Sequence, residues 1–301
     1  MTALTPPHQP SRQAGLTLVE LLVSMVVGLA VIGAGLSMYT SSGFASRGGS
    51  ALTQMGEDAS LALGIMRNHL AMAGYSRLVK NPASGNLVKA YSGRPVFGCR
   101  FGVDNTTRGN ALTNADSTKQ QITCDTSATT ASDTLFVLYE ADQDNTVPTS
   151  ASNPTDCLGN STPLVAGPMA NYNIAENRFF INGDGALSCL GNGNVTPQPL
   201  VDNVTQMVVW YGVAQPGPSP GQRETVASRY LRADQVGDQS NSTWEQVVSV
   251  RLCLVIRCRE PVLDAAAPFI NCNGTSTPTT DRRLYRAFTT TVVLNNRIYQ
   301  N

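Results

Sequence analysis

The 301-residue chain is short of charge: 14% of its residues are Asp, Glu, Lys or Arg, with 21 of each sign, so the formal net charge is zero. No long basic run occurs, which removes the electrostatic footprint of a nucleic-acid surface or a polybasic lipid patch. Histidine is scarcer still. His8 and His69 are the only two, so a nucleophilic triad has almost no choice of base. No C-x-x-C spacing is present, which argues against zinc. No G-x-x-x-x-G-K-[ST] occurs either, and the glycine-rich stretches do not follow a strand and open a helix as a phosphate site requires. Asp142, Asp144 and Asn145 in one loop, and Asp184 between Gly183 and Gly185, offer hard oxygen donors. Neither loop has the ligand spacing and closing Glu of an EF-hand, and solvated turns account for both. These absences point away from an enzyme, a cofactor, a metal and nucleic acid.

What is present is enough apolar residue, 42% of the chain, to bury a core of one or two domains. A long uncharged run comes first. From Leu16 to Tyr39 the only charged side chain is Glu20, and roughly 24 residues make a helix of about 36 Å, enough to span a bilayer. An acid at that depth costs roughly 2–3 kcal/mol on insertion scales, so it calls for a partner. The leader Met1–Gly15 holds Arg12 and no acid, which favours a cytoplasmic N-terminal end and an exported remainder. Two plainer readings stand beside this one. A secretory signal cut near Ala34 or Gly35 would normally have a shorter apolar region directly after basic residues, and a simple anchor leaves Glu20 unexplained.

The glycines Gly43, Gly48 and Gly49 predict a loosened helix over Thr40–Ser50. Apolar periodicity resumes at Leu52, Met55, Ala59, Ala62, Met66 and Leu70, which predicts an amphipathic helix to about Met72, ended by Gly74. Beyond it the pattern is β. Thr134–Glu140, Asn177–Asn182, Val204–Gly212, Val247–Arg257 and Phe288–Leu294 read as strands bounded by turn residues. In the fourth of these, Val248, Val250, Leu252, Leu254 and Ile256 alternate, so one face meets a core. Of the adjacent Trp210 and Tyr211, one belongs in the core and the other on the opposite face. The expected class is α+β: a long N-terminal helix whose upper half packs on an antiparallel sheet. The expected divisions are a leader over 1–15, a membrane or filament-core segment over 16–39, an upper helix over 40–75 and a β-rich exported domain over 76–301.

Gly15-Leu16-Thr17-Leu18-Val19-Glu20 and the apolar run after it resemble the processing site of type IV prepilins. The resemblance implies cleavage between Gly15 and Leu16, methylation of the new amino terminus, and a Glu20 that neutralises the terminal amine of a neighbouring subunit. Leu16 stands where major pilins usually carry Phe, which tilts the reading toward a minor pilin or a secretion pseudopilin. Asp202–Gly212, Val247–Arg251, Phe288–Arg297, Met72–Tyr75 and Cys157–Gly159 resemble stretches of PilW-type minor pilins. That resemblance implies a non-enzymatic subunit that helps initiate pilus assembly at or near the tip. The implied partners are a prepilin peptidase, an inner-membrane assembly platform, other minor pilins and the major pilin through the N-terminal helix, and a tip adhesin. It further implies a single-pass inner-membrane protein with a periplasmic domain, later on the pilus surface. Two alternatives remain open at this point, a pilus-displayed adhesin and a type II secretion pseudopilin.

Seven cysteines, all beyond the membrane segment, fit an oxidising compartment. Three bridges and one free thiol allow about 105 arrangements, so spacing alone does not decide among them. The expected pairs are Cys157–Cys189, stapling a hairpin, Cys99–Cys124, closing a polar loop, and Cys258–Cys272, closing a Pro-containing segment. Cys253 is then the free, buried thiol.

Overall fold

The structure, a computed structural model, describes residue 15 and residues 17–104, 122–126, 132–167, 169–194, 196–215, 225–238 and 242–296. The leader up to residue 14, Leu16, and most of the polar stretches 102–132 and 215–223 lie outside the described residues. The chain divides into two compact units, residues 1–50 and 51–301.

Helix α1, Leu18–Met72, runs from the first unit into the second. Its glycine-bearing stretch over Thr40–Ser50, where the glycines predict a loosened helix, keeps a helical backbone throughout. Each glycine costs at most about 1 kcal/mol, which strong helix formers on both sides offset. Within the second unit Ala51, Met55, Ala59, Ala62, Met66, Leu70 and Ala73 repeat every three or four residues, and none is more than 7% exposed. Leu52, expected to open this stripe, is 44% exposed. Ala51 takes its place because it lies four residues before Met55.

A hairpin of β1 (Leu78–Lys80) and β2 (Leu87–Lys89) follows the helix. Next come β3 (Val96–Cys99), β4 (Thr134–Ala141), β5 (Leu164–Val165), β6 (Tyr172–Ile181), β7 (Ala186–Leu190) and β8 (Gln198–Asp202). They form one antiparallel sheet in the order β3-β4-β6-β7-β8, with β5 beside β6. A second sheet uses β9 (Val204–Val213), β10 (Arg229–Leu231) and β11 (Val247–Arg257), with the short helix α2 (Ala233–Val236) between the last two. A small hairpin, β12 (Phe269–Ile270) and β13 (Ser276–Thr277), precedes β14 (Tyr285–Val293), and the second sheet runs β10-β9-β11-β14. The helix stripe and apolar residues of both sheets join in one core cluster. The fold is α+β.

The helix ends where Gly74 adopts φ of 73°. An added Cβ there would stand 2.6 Å from the carbonyl oxygen of Asn296. Lys89 Nζ donates to the carbonyls of Gly74 and Asn296 at 3.0 and 2.8 Å, and Asn296 Nδ2 donates to the Ala71 carbonyl at 2.9 Å. Orphan carbonyls at the helix terminus are thereby satisfied by residues far along the chain.

Cys99 pairs with Cys124 and Cys157 with Cys189. The third bridge is Cys253–Cys272, not Cys258–Cys272, and the free thiol is Cys258, not Cys253. The alternation of β11 explains the exchange. Val250, Leu252, Leu254 and Ile256 enter the core cluster, and Cys258 continues their face. Its thiol donates to the Glu260 carbonyl at 2.9 Å and accepts the Leu284 N–H at 3.1 Å. Cys253 is on the opposite face, where Cys272 donates its N–H to Gln206 Oε1 of β9 at 3.3 Å.

Candidate functional site

The helix begins with a cap. Thr17, just before the first helical residue, accepts the Glu20 N–H on Oγ1 at 3.3 Å and the Leu21 N–H on its carbonyl at 3.2 Å. This is the T-x-x-E spacing of a helix start, and an acid in the first turn also suits the positive end of the helix dipole. The Glu20 carboxylate is exposed and has no hydrogen-bond or ion-pair partner among the described residues. Around it Leu18, Val19, Leu21, Leu22 and Val23 are 48–76% exposed, and exposure continues to Met38 and Tyr39. Leu18–Tyr39 is long and apolar enough to cross a membrane. Its serines do not resist this. Ser24 Oγ donates to the Glu20 carbonyl at 2.6 Å and Ser37 Oγ to the Gly33 carbonyl at 3.0 Å, so the hydroxyls are satisfied within the helix. The surface left is an apolar rod with one unpaired carboxylate near its start. Gly15 is exposed, and Leu16 lies outside the described residues.

In the second unit, His69 ties the helix to the first sheet. Its Nδ1 lies 3.0 Å from Tyr139 Oη and 3.1 Å from Asn177 Nδ2. The amide of Asn177 donates, so Nδ1 is the acceptor and the ring proton belongs on Nε2. Asn177 Oδ1 also accepts the Cys157 N–H at 2.8 Å, linking the helix to the Cys157–Cys189 staple. The ring packs against Phe179 at 5.4 Å between centroids. Burial pulls the His69 pKa down to about 4, opposed only in part by the negative charge of Asp156. Such an imidazole is a packed, neutral helix-to-sheet contact.

The acidic loops are turns. Asp142 Oδ1 accepts the N–H groups of Asp144 and Asn145, while its Oδ2 accepts the Tyr75 hydroxyl proton. Asn182 Oδ1 accepts the N–H groups of Asp184 and Ala186. Among the described residues no group of three or more His, Cys, Asp or Glu side chains converges as a metal site would require. Tyr211 is the core member of its pair, fully buried at an edge-to-face angle to Trp244, whereas Trp210 stays partly exposed beneath the Arg232 guanidinium.

Two buried ionic groups escaped the sequence reading. Arg232 Nη2 donates to both oxygens of Asp133 at 2.8 and 2.9 Å, and Asp133 Oδ2 also accepts the Val209 N–H at 2.7 Å. Burial raises the Asp133 carboxyl to about 7 against the pull of Arg232. Glu140 Oε2 accepts from Ser76 Oγ at 2.6 Å and from the Arg77 N–H at 2.9 Å. Both groups fasten strands to segments far away in sequence.

The prokaryotic N-terminal methylation motif matches residues 10–36, a span that contains Gly15, Leu16 and Glu20. The model of the type IV pilus-assembly protein W family matches residues 171–296, from the residue before β6 to the end of the turn after β14. No curated protein matches the chain. Among solved structures, the type IV-like pilin TTHA1219 from Thermus thermophilus is similar at a TM-score of 0.40 and 12% identity, over 80% of this chain and 97% of that one. The family is structural, not enzymatic. With the methylation motif at the head of the apolar helix and the family match over the second half of the β domain, the chain is similar at both ends to type IV prepilins of the PilW type.

Proposed function

We propose that the chain is cut between Gly15 and Leu16 by a prepilin peptidase, methylated at Leu16, and held by residues 16–39 in the inner membrane, with the rest periplasmic, until it enters a pilus. There it works with other minor pilins to initiate assembly at or near the tip. The observation that carries this reading is the unpaired Glu20 carboxylate on an otherwise apolar, exposed helix, inside the matched methylation motif. A carboxylate in such surroundings is stabilised by a cation, and the amine of an adjacent subunit's processed terminus supplies one at the matching depth.

Glu20→Ala separates assembly from folding. Removing the acid eases membrane insertion by about 2 kcal/mol, so the variant should reach the membrane, keep its exported domain folded, and still lower both pilus number and cross-linking to neighbouring subunits. Intact mass should show a terminus at methylated Leu16. Normal piliation with wild-type cross-linking yields, or a terminus near Leu36, refutes the proposal. Labelled antibody on sheared pili distinguishes the roles: an initiator marks tips and its deletion removes pili, whereas an accessory adhesin leaves pilus number unchanged.

A further inference from the structure

β14 forms one edge of the second sheet. Cys258 donates its N–H to the Leu284 carbonyl and Leu294 donates to Val248, in the register that pairs β11 with β14. Even-numbered residues there turn their backbone groups toward β11. Tyr285, Ala287, Thr289, Thr291 and Val293 therefore turn theirs away from the sheet, and among the described residues none of these backbone groups has a partner.

The other edges of the two larger sheets are protected. β10 has three residues, β3 has four that are all buried, and β8 contains Pro199. β14 has nine residues, no proline, no break in its register with β11, and Arg286 as its only charge. Val293 is 56% exposed, and Phe288 and Val292 are only partly covered although they pack against the core cluster.

We propose that this edge is the docking site for a second copy of the chain, whose own β14 adds antiparallel across a twofold axis at Thr289. The outward residues are spaced symmetrically about Thr289, so each meets an outward residue of the copy: Thr289 with Thr289, Ala287 with Thr291, Tyr285 with Val293. Every one of them then both donates and accepts a backbone hydrogen bond. Aromatic against β-branched and Thr against Thr are favourable cross-strand pairs. Charge also permits this register. Arg286 comes beside Val292 of the copy, and the two guanidinium groups stay about 20 Å apart along the strands. A contact of one strand is smaller than a standard stable interface, so the association is weak and rises with concentration. The inference goes beyond the assembly role above and does not depend on it.

Amide hydrogen exchange on the full chain in detergent micelles tests it over a hundredfold range of protein concentration. The expected result is slowing by tenfold or more at Thr289 and Thr291 as concentration rises, with Leu252 and Leu254 protected throughout. Thr289→Pro removes an outward N–H that β11 does not use, so it should abolish the slowing at Thr291 while Leu252 and Leu254 keep their protection. Thr291→Pro, read at Thr289, serves if the first variant does not fold. Fast exchange of Thr289 and Thr291 at every concentration overturns the proposal. So does protection that is independent of concentration, which would mean cover by another segment of the same chain. Slowing at Thr291 that persists in Thr289→Pro overturns it as well.

Discussion

Acidification should weaken the exported domain through His69, and the size of the effect follows from its environment. Free imidazole titrates near 6.5, whereas burial between the helix, Tyr139, Asn177 and Phe179 lowers His69 to about 4. Above about pH 6.5 the ring is neutral in both states and contributes no pH dependence. Between about 6.5 and 4 the unfolded chain takes up a proton that the folded chain refuses, so stability falls as pH falls. A shift of that size corresponds to about 3 kcal/mol, an upper figure because the ring keeps some contact with solvent. Asp133 has the opposite sign. Its carboxyl, raised to about 7, binds a proton in the folded state through part of the same window and offsets some of the loss. The informative quantity is therefore the difference between wild type and His69→Gln, measured by urea unfolding at pH 7, 6, 5 and 4 on a chain beginning at Ala51, which contains the whole core. Gln retains hydrogen-bonding capacity and does not titrate. The wild type should lose about 2–3 kcal/mol more than the variant between pH 7 and 4. Parallel losses, or an NMR titration of the His69 ring near 6.5 in the folded protein, would refute the reasoning.

Peptide mapping without reduction should recover Cys253 joined to Cys272, with Cys258 alkylated only after unfolding; Cys272→Ser should cost about 3 kcal/mol through the freed loop. Asp133→Asn, which leaves the Arg232 guanidinium largely buried without its counter-charge, should cost about 3 kcal/mol in urea unfolding. Adding Arg232→Met should recover part of that loss, and a double variant less stable than Asp133→Asn would show that Arg232 is held by something other than this pair.

The separation between what the sequence reveals and what it withholds follows the range of the interactions. β11 was legible because its alternation is local, and the same alternation, carried to the cysteines, separates Cys253 from Cys258. Cys253 lies within β11 and Cys258 directly after its last residue, five positions on, so they face opposite sides of the sheet. Loop composition carries no information about that parity. β4, β9 and β14 are likewise legible in β-branched and aromatic runs, within a few residues of their ends. β3 and β8 gave no such signal. Gly98 interrupts Val96–Cys99, and the reason for glycine is the Tyr211 hydroxyl, which occupies the place of a Cβ from another sheet. Pro199 disguises β8 because an edge strand tolerates a residue that a central strand would reject.

Charge obeys the same logic. Glu140 looks like the exposed end of a strand, yet it is buried because Ser76 and Arg77 meet it across more than sixty residues. No window of sequence contains both sides of that contact. Glu20 is the reverse case. Its surroundings are wholly local, the helix start at Thr17 and the apolar run after it, so the anomaly is visible in a dozen residues. What would relieve the anomaly lies on no element described in this chain. An unpaired charge that the fold leaves exposed on an apolar helix asks for a cation at that depth, and the proposal made above places that cation on a neighbouring subunit.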